Sequence, residues 1–231
     1  MFNKFTFHHN DDTKVFFTSD THFGHNKDFI LNPRGFKDVN NHNAALIEGW
    51  NSVVGVNDHV IHLGDFLVGA GNDSFKLGQH ILFRLHGHIH FLWGNHNAYV
   101  KDIYKQTVQN IFPQANEVTE IYPVTYQEKI TFYGNNLLAK IRLYNYSQYI
   151  FCSHFRHRLW IDSHKGEVWH ISGHSHSSDP ESQPEFKGAK CLDVGVDNFP
   201  VPLSFDQLAR IMKGKGVEKL DHHGPDTSSS F

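Results

Sequence analysis

Five short apolar runs in this chain each stop at an aspartate, an asparagine or a histidine, and no other feature narrows its possible folds so far. Lys14–Ser19 (KVFFTS) ends at Asp20, His59–Leu63 (HVIHL) at Gly64-Asp65, and Ile89–Trp93 (IHFLW) at Gly94-Asn95. Tyr149–Cys152 is closed by Ser153-His154, and Val168–Ser172 by Gly173-His174. Each run has the length and the β-branched or aromatic content of a buried strand. In open α/β sheets, ligands bind beyond the carboxyl ends of the strands. Runs of this kind therefore bring their terminal polar residues to one edge of the molecule.

The segments between the first runs read as helices. Asn40–Trp50 carries Leu46, Ile47 and Trp50 on one face, and Ser74–Leu85 and Ala98–Ile111 have similar spacing. After them the chain turns strand-rich: Glu117–Tyr133 and Leu138–Cys152 flank a Gly134-Asn135-Asn136 turn signal. A further strand over Lys190–Val194 and a helix over Phe205–Met212 follow. Alternating strands and helices followed by consecutive strands predict an α/β fold of two packed sheets with helices outside. Residues 1–212 form a single domain on this reading, and 213–231, with little to bury, a mobile tail.

Position, and not residue type, separates a site from chance here, because 20 histidines make accidental motifs common. Asp-x-His occurs at Asp20–His22, Asp162–His164 and Asp221–His223, but only the first sits where a buried strand stops. Gly-His-x-His occurs at Gly87–His90, before a strand, and at Gly173–His176, after one. The strand-end copies are selected, and His59, His62, His86, His88 and His90 are read as hydrogen-bonded core or surface residues. What remains is Asp20, His22, Asp65, Asn95, His154, His174 and His176. Gathering these groups without a counter-charge would be expensive, and divalent metal supplies one. The donors are oxygen and imidazole without thiolate, which suits Mn, Fe, Co, Ni or Zn, with Mn the first choice.

In sequence order, Asp20-Thr21-His22, Gly64-Asp65, Gly94-Asn95-His96, His154 and Gly173-His174-Ser175-His176 resemble the five motifs of the calcineurin-like metallophosphoesterases. Ser19–His25 (SDTHFGH) and His62–Phe66 (HLGDF) are similar to the small bacterial and phage enzymes of that family, and a nucleotide phosphomonoesterase is the member type expected. The resemblance implies a four-layer α-β-β-α sandwich, two mixed sheets flanked by helices, and a binuclear centre. Asp20, His22 and His176 would hold one metal, Asn95, His154 and His174 the other, and Asp65 would bridge. A carboxylate, with two oxygens, suits bridging better than an imidazole. A hydroxide shared by the metals would then attack phosphorus. His96 would be the catalytic histidine, stabilising the phosphoryl group or protonating the leaving oxygen. The family usually has Asp after this histidine; Asn97 stands here, and an amide can orient the ring but not charge it.

Arg156 and His157, in the basic stretch after His154, are candidates for holding substrate phosphate, as are His25 and Arg34 after the first motif. Trp160 and Phe199 are read as core. A net charge of −3 and a pI near 6.7 offer no electrostatic grip on long nucleic acid and favour a small phosphorylated substrate such as a nucleoside monophosphate. A phosphodiesterase or nuclease on the same metals is the alternative, and a non-catalytic scaffold of the same fold a lesser one. No run approaches the ~18 apolar residues of a membrane helix. A cytoplasmic protein with Cys152 and Cys191 as buried reduced thiols is expected.

Overall fold

The expected runs become strands and the intervening segments helices in a computed structural model that describes residues 3–69, 71–111 and 123–217. In chain order these are β1 (Asn3–His8), β2 (Val15–Thr18), α1 (Asp28–Leu31), α2 (Val39–Val53), β3 (His59–His62), α3 (Asn72–Arg84) and β4 (His88–Phe91). Then come α4 (Ala98–Ile111), β5 (Val124–Tyr126), β6 (Ile130–Phe132), β7 (Asn136–Arg142) and β8 (Ser147–Ser153). The last are β9 (Val168–Ser172), β10 (Cys191–Asp193), β11 (Leu203–Ser204) and α5 (Phe205–Lys213).

Two mixed sheets result, ordered β11-β2-β3-β4-β6-β5 and β1-β7-β8-β9-β10. In the first, β2, β3, β4 and β6 are parallel, with antiparallel β11 and β5 at the edges. In the second, β8, β9 and β10 are parallel, and β7 runs parallel to β1 but antiparallel to β8. The period-two alternation of strand side chains explains the layering. Phe16, Val60 and Ile89 point to one side of the first sheet and pack with Ile47 and Trp50 of α2, Ile81 and Leu82 of α3, and Val100 and Ile103 of α4. Val15, Phe17 and Ile61 point to the other side, against Ile141, Ile150, Cys152, Ile171 and Leu192 of the second sheet. Central strands are thus apolar on both faces, as parallel strands covered on both sides must be. Phe205, Leu208 and Met212 of α5 complete this inter-sheet core. A capping box begins that helix, with Gln207 N donating to Ser204 Oγ and Ser204 N to Gln207 Oε1.

The outer face of the second sheet carries Leu138, Phe151 and Val168 under Trp160. Trp160, expected in the core, is half-buried against this cluster, its Nε1 donating to Val168 O. The Gly134-Asn135-Asn136 signal does not close a hairpin within one sheet: it carries the chain from β6 in the first sheet to β7 in the second. The first residues of the segment expected to be a tail, 213–217, are ordered. Lys215 is buried and its Nζ donates to Gln183 O and Phe186 O, so order extends at least to 217, while 218–231 lie outside the described residues. Among the described residues, no helix is long and apolar enough to cross a membrane, and both cysteines are free and buried.

Candidate metal centre

Strand register explains why distant motifs meet. Thr18 pairs with His62 and His62 with Phe91, so β2, β3 and β4 finish level and release Asp20, Asp65 and Asn95 side by side. Cys152 pairs with Ile171 in the second sheet, so His154 and the His174–His176 segment leave from one edge as well. A bridge between Ser19 and Gly195 joins the two edges.

The backbone there is strained. Asp20 (φ 56°), His22 (φ 47°), Asp65 (φ 55°), His174 (φ 68°) and His176 (φ 47°) all occupy the left-handed region. Residues other than glycine there cost about 1–3 kcal/mol each and persist where the surroundings over-determine them, often at functional sites. The glycines of the motifs make the close approach possible. A Cβ on Gly64 (φ 117°) would lie 2.5 Å from Gly94 N and 2.8 Å from His154 Nδ1. A Cβ on Gly94 would collide with the Asp65 carboxylate, and one on Gly173 with that of Asp20.

Two groups of donors result. In the first, His22 Nε2 lies 3.2 Å from His176 Nε2 and 3.9 Å from Asp20 Oδ1, and His176 Nε2 lies 4.0 Å from that oxygen. In the second, His154 Nε2 lies 2.9 Å from Asn95 Oδ1 and 3.5 Å from Asp65 Oδ2. Asp65 Oδ2 is also 3.7 Å from His22 Nε2, so this one oxygen faces both groups. The other Asp65 oxygen, Oδ1, accepts from His96 N at 2.7 Å. The His174 ring stands 5.1 Å from that of His154 and 4.6 Å from Phe155. Asp20, His22, Asp65 and His154 are buried, whereas Asn95, His96 and His174 are exposed at the mouth.

These residues fit divalent cations. Asp20 Oδ1 is buried with no hydrogen-bond partner, and two imidazole Nε2 atoms converge beside it. Burial lifts the Asp20 carboxyl to about 7 and, aided by His176, pushes His22 far below the ordinary imidazole range. Burial also lowers His154 to about 4, against the pull of Asp65. A carboxyl that resists ionisation at Asp20 beside imidazoles that resist protonation at His22 and His154 is what a cation would reconcile. The rings are aimed from behind: His154 Nδ1 is 3.1 Å from Leu63 O, and His176 Nδ1 2.7 Å from Asp197 Oδ2. Each contact leaves Nε2 toward the centre, the usual arrangement of metal-ligating histidines.

The other expected residues divide. His25 is at the site, its ring 5.3 Å from His22 and 6.4 Å from His96. Arg34 is not free for phosphate: its side chain is 7 % exposed and grips Asp197, with further bonds to Asp20 O and Thr21 O. Arg156 is taken by Glu181 (2.6 Å) and Asp179 (3.3 Å). The His157 ring packs on Phe151 and His170 at the outer face of the second sheet, away from the donors. The Asn97 side chain is bonded to Gly94. Its Oδ1 accepts from Gly94 N (2.9 Å) and its amide donates to Gly94 O, closing the turn before α4.

Of the discarded motifs, Asp162 pairs with Lys165 in a surface turn, His90 is bonded to His59 between the sheets, and Asp221–His223 lies outside the described residues. Asp197 and Asp193 are what sequence reasoning missed. Buried Asp193 accepts from Ser175 Oγ and Gly195 N. The strand-end rule applied to Lys190–Val194 would have found Asp193 at its end and Asp197 just beyond.

Comparison with known proteins agrees with this geometry. The family described as calcineurin-like phosphoesterase matches residues 13–210. The gene 66 protein of Mycobacterium phage L5 is 26 % identical over 204 residues, covering 85 % of this chain and 92 % of the phage protein. An uncharacterized protein of Methanocaldococcus jannaschii is 36 % identical over 86 residues, 37 % of this chain and 48 % of that protein, so the match spans about half of that relative. A crystal structure of an Aquifex aeolicus protein of unknown function shares the fold, with a TM-score of 0.57 and 19 % identity over 86 % of this chain and 99 % of that one.

Proposed function

From the premise that this chain belongs to the calcineurin-like phosphoesterases, metal-dependent enzymes of phosphoester hydrolysis, we propose that it is a binuclear phosphomonoesterase acting on nucleotides or similarly small phosphorylated compounds. The observation that carries this reading is the pair of donor groups sharing Asp65 Oδ2. Asp20, His22 and His176 would hold one ion, and Asn95, His154 and His174 the other. Two such ions would supply positive charge for the phosphoryl oxygens and lower the pKa of a water for attack near neutral pH.

The chain's own groups do the rest. The bond from His96 N to Asp65 Oδ1 fixes the His96 backbone at the mouth, its ring 5.6 Å from that of His22. From there the ring can donate to a phosphoryl oxygen or to the leaving oxygen. His25 stands beside it as a second imidazole on the same rim. Small substrates are favoured because Arg34 and Arg156 are paired with Asp197, Glu181 and Asp179 and do not line a basic groove for a long polyanion.

The test is a substrate panel on metal-stripped protein reloaded with Mn, Fe, Co, Ni or Zn. Nucleoside monophosphates should turn over faster than a bis-nitrophenyl diester, with Mn restoring activity. The reverse ranking would support the diesterase reading, and inactivity with every ion would leave only a scaffold.

A further inference from the structure

Arg34 and Asp197 lie 163 residues apart in sequence and meet behind the first donor group. Arg34 Nε donates to Asp197 Oδ1 at 2.9 Å and Nη2 to Oδ2 at 2.8 Å, a two-pronged pair whose side chains are 7 % and 14 % exposed. The same Nη2 reaches Asp20 O at 2.8 Å and lies 3.5 Å from His176 Nδ1, while Nη1 donates to Thr21 O at 3.2 Å and lies 3.1 Å from His42 Nε2. Asp197 Oδ2 in turn sits 2.7 Å from His176 Nδ1. One ion pair therefore touches the backbone of Asp20 and the ring of His176, two donors whose left-handed backbones need holding.

We infer that Asp197, clamped by Arg34, is the positioning residue of the Asp20–His22–His176 half of the centre: it fixes His176 as the Nδ1–H tautomer and aims Nε2 at the ion. A carboxylate behind a ligating imidazole also strengthens it as a donor. The other half is braced differently, His154 Nδ1 meeting only the neutral Leu63 carbonyl. Loss of the clamp should therefore weaken one ion and spare the other. A residue that merely supported the fold would not discriminate between them.

This inference rests on the two-ion reading, and the experiment separates the two. Full-length protein stripped of metal is titrated with Mn, and stoichiometry and both affinities are read by calorimetry and by the paramagnetic signal of free Mn. Asp197→Asn should weaken one of two ions ~10–100-fold and leave the second within error. Removing one partner of a buried ion pair can unfold a protein by itself. The double variant Arg34→Gln/Asp197→Asn therefore removes both charges, and should show the same selective loss with the melting point of the metal-free protein near that of the parent. Two ions bound at parental affinity in the folded double variant would overturn the inference, as would equal weakening of both. A parent protein that takes up fewer than two ions would defeat the two-ion reading instead.

Discussion

Asn97 reads the Gly94 backbone in both directions, accepting from its N–H and donating to its carbonyl, while buried. Only an amide can do both, since a carboxylate would set an oxygen against the Gly94 carbonyl. Asn97→Asp should therefore destabilise the protein by about 1–3 kcal/mol, visible as a lower urea midpoint, without moving the pH dependence of turnover. A gain in stability would mean that the amide bonds are misread. For His96, a positioned general acid contributes ~10²–10⁴-fold, most where the leaving group is poor. As a proton donor it should make His96→Ala far slower on a nucleoside monophosphate than on nitrophenyl phosphate. Equal losses would mark it as a hydrogen-bond donor to the phosphoryl oxygens. The donor residues were legible because each ends an apolar run that folds locally. Arg34 and Arg156 are paired with Asp197 and Glu181, which arrive from other parts of the chain. No local pattern announces such an ion pair.

At the level of single strands, buried histidines on β4 and β9 are held by hydrogen bonds. His170 is wholly buried, with Nδ1 3.0 Å from Phe151 O and Nε2 accepting from His157 N at 2.9 Å, which requires the neutral ring. His90 sits between the sheets, its Nε2 2.9 Å from His59 Nδ1. Burial holds His170 down at about 3 and His90 well below the ordinary value. Their native pKa values thus lie below the unfolded value near 6.5, so on acidification the unfolded chain takes up protons first. Stability is full above about pH 6.5 and falls as pH drops toward the native pKa values, by about 1.4 kcal/mol per unit for each ring. At pH 5 His170 should have removed about 2 kcal/mol, with His90 acting in the same direction. Urea titrations at pH 7 and pH 5 measure this, and His170→Gln should flatten the slope by about one ring's share. The strands that carry these rings were legible from continuous apolar runs. The first strand was not: only Phe7 of β1 is buried, and pairing with β7 creates it. Nor could the sequence tell that consecutive β6 and β7 belong to different sheets, because that depends on where the inter-sheet core accepts them.

Across the whole molecule, the centre is a joint between the two sheets. Asp20, Asp65 and Asn95 leave the first sheet, and His154, His174 and His176 the second, with the Ser19–Gly195 bridge between them. Ions held at this joint cannot stay bound when either sheet departs, so they bind the native state and not the unfolded chain. Each ion should then add about 2.7 kcal/mol when free metal is a hundredfold above its Kd. Two ions give about 5 kcal/mol, and for a chain of this size 1 kcal/mol moves the melting point by about 2–4 °C. Calorimetry should therefore show the Mn-saturated protein melting roughly 10–20 °C above the chelated one, in one transition because both sheets share the ligands. Asp65→Asn should lose most of that gain, since the oxygen that faces both donor groups loses its charge. A melting point indifferent to saturating metal in the parent protein would show that no ion couples the sheets. A gain that survives in Asp65→Asn would move the bridge to another residue.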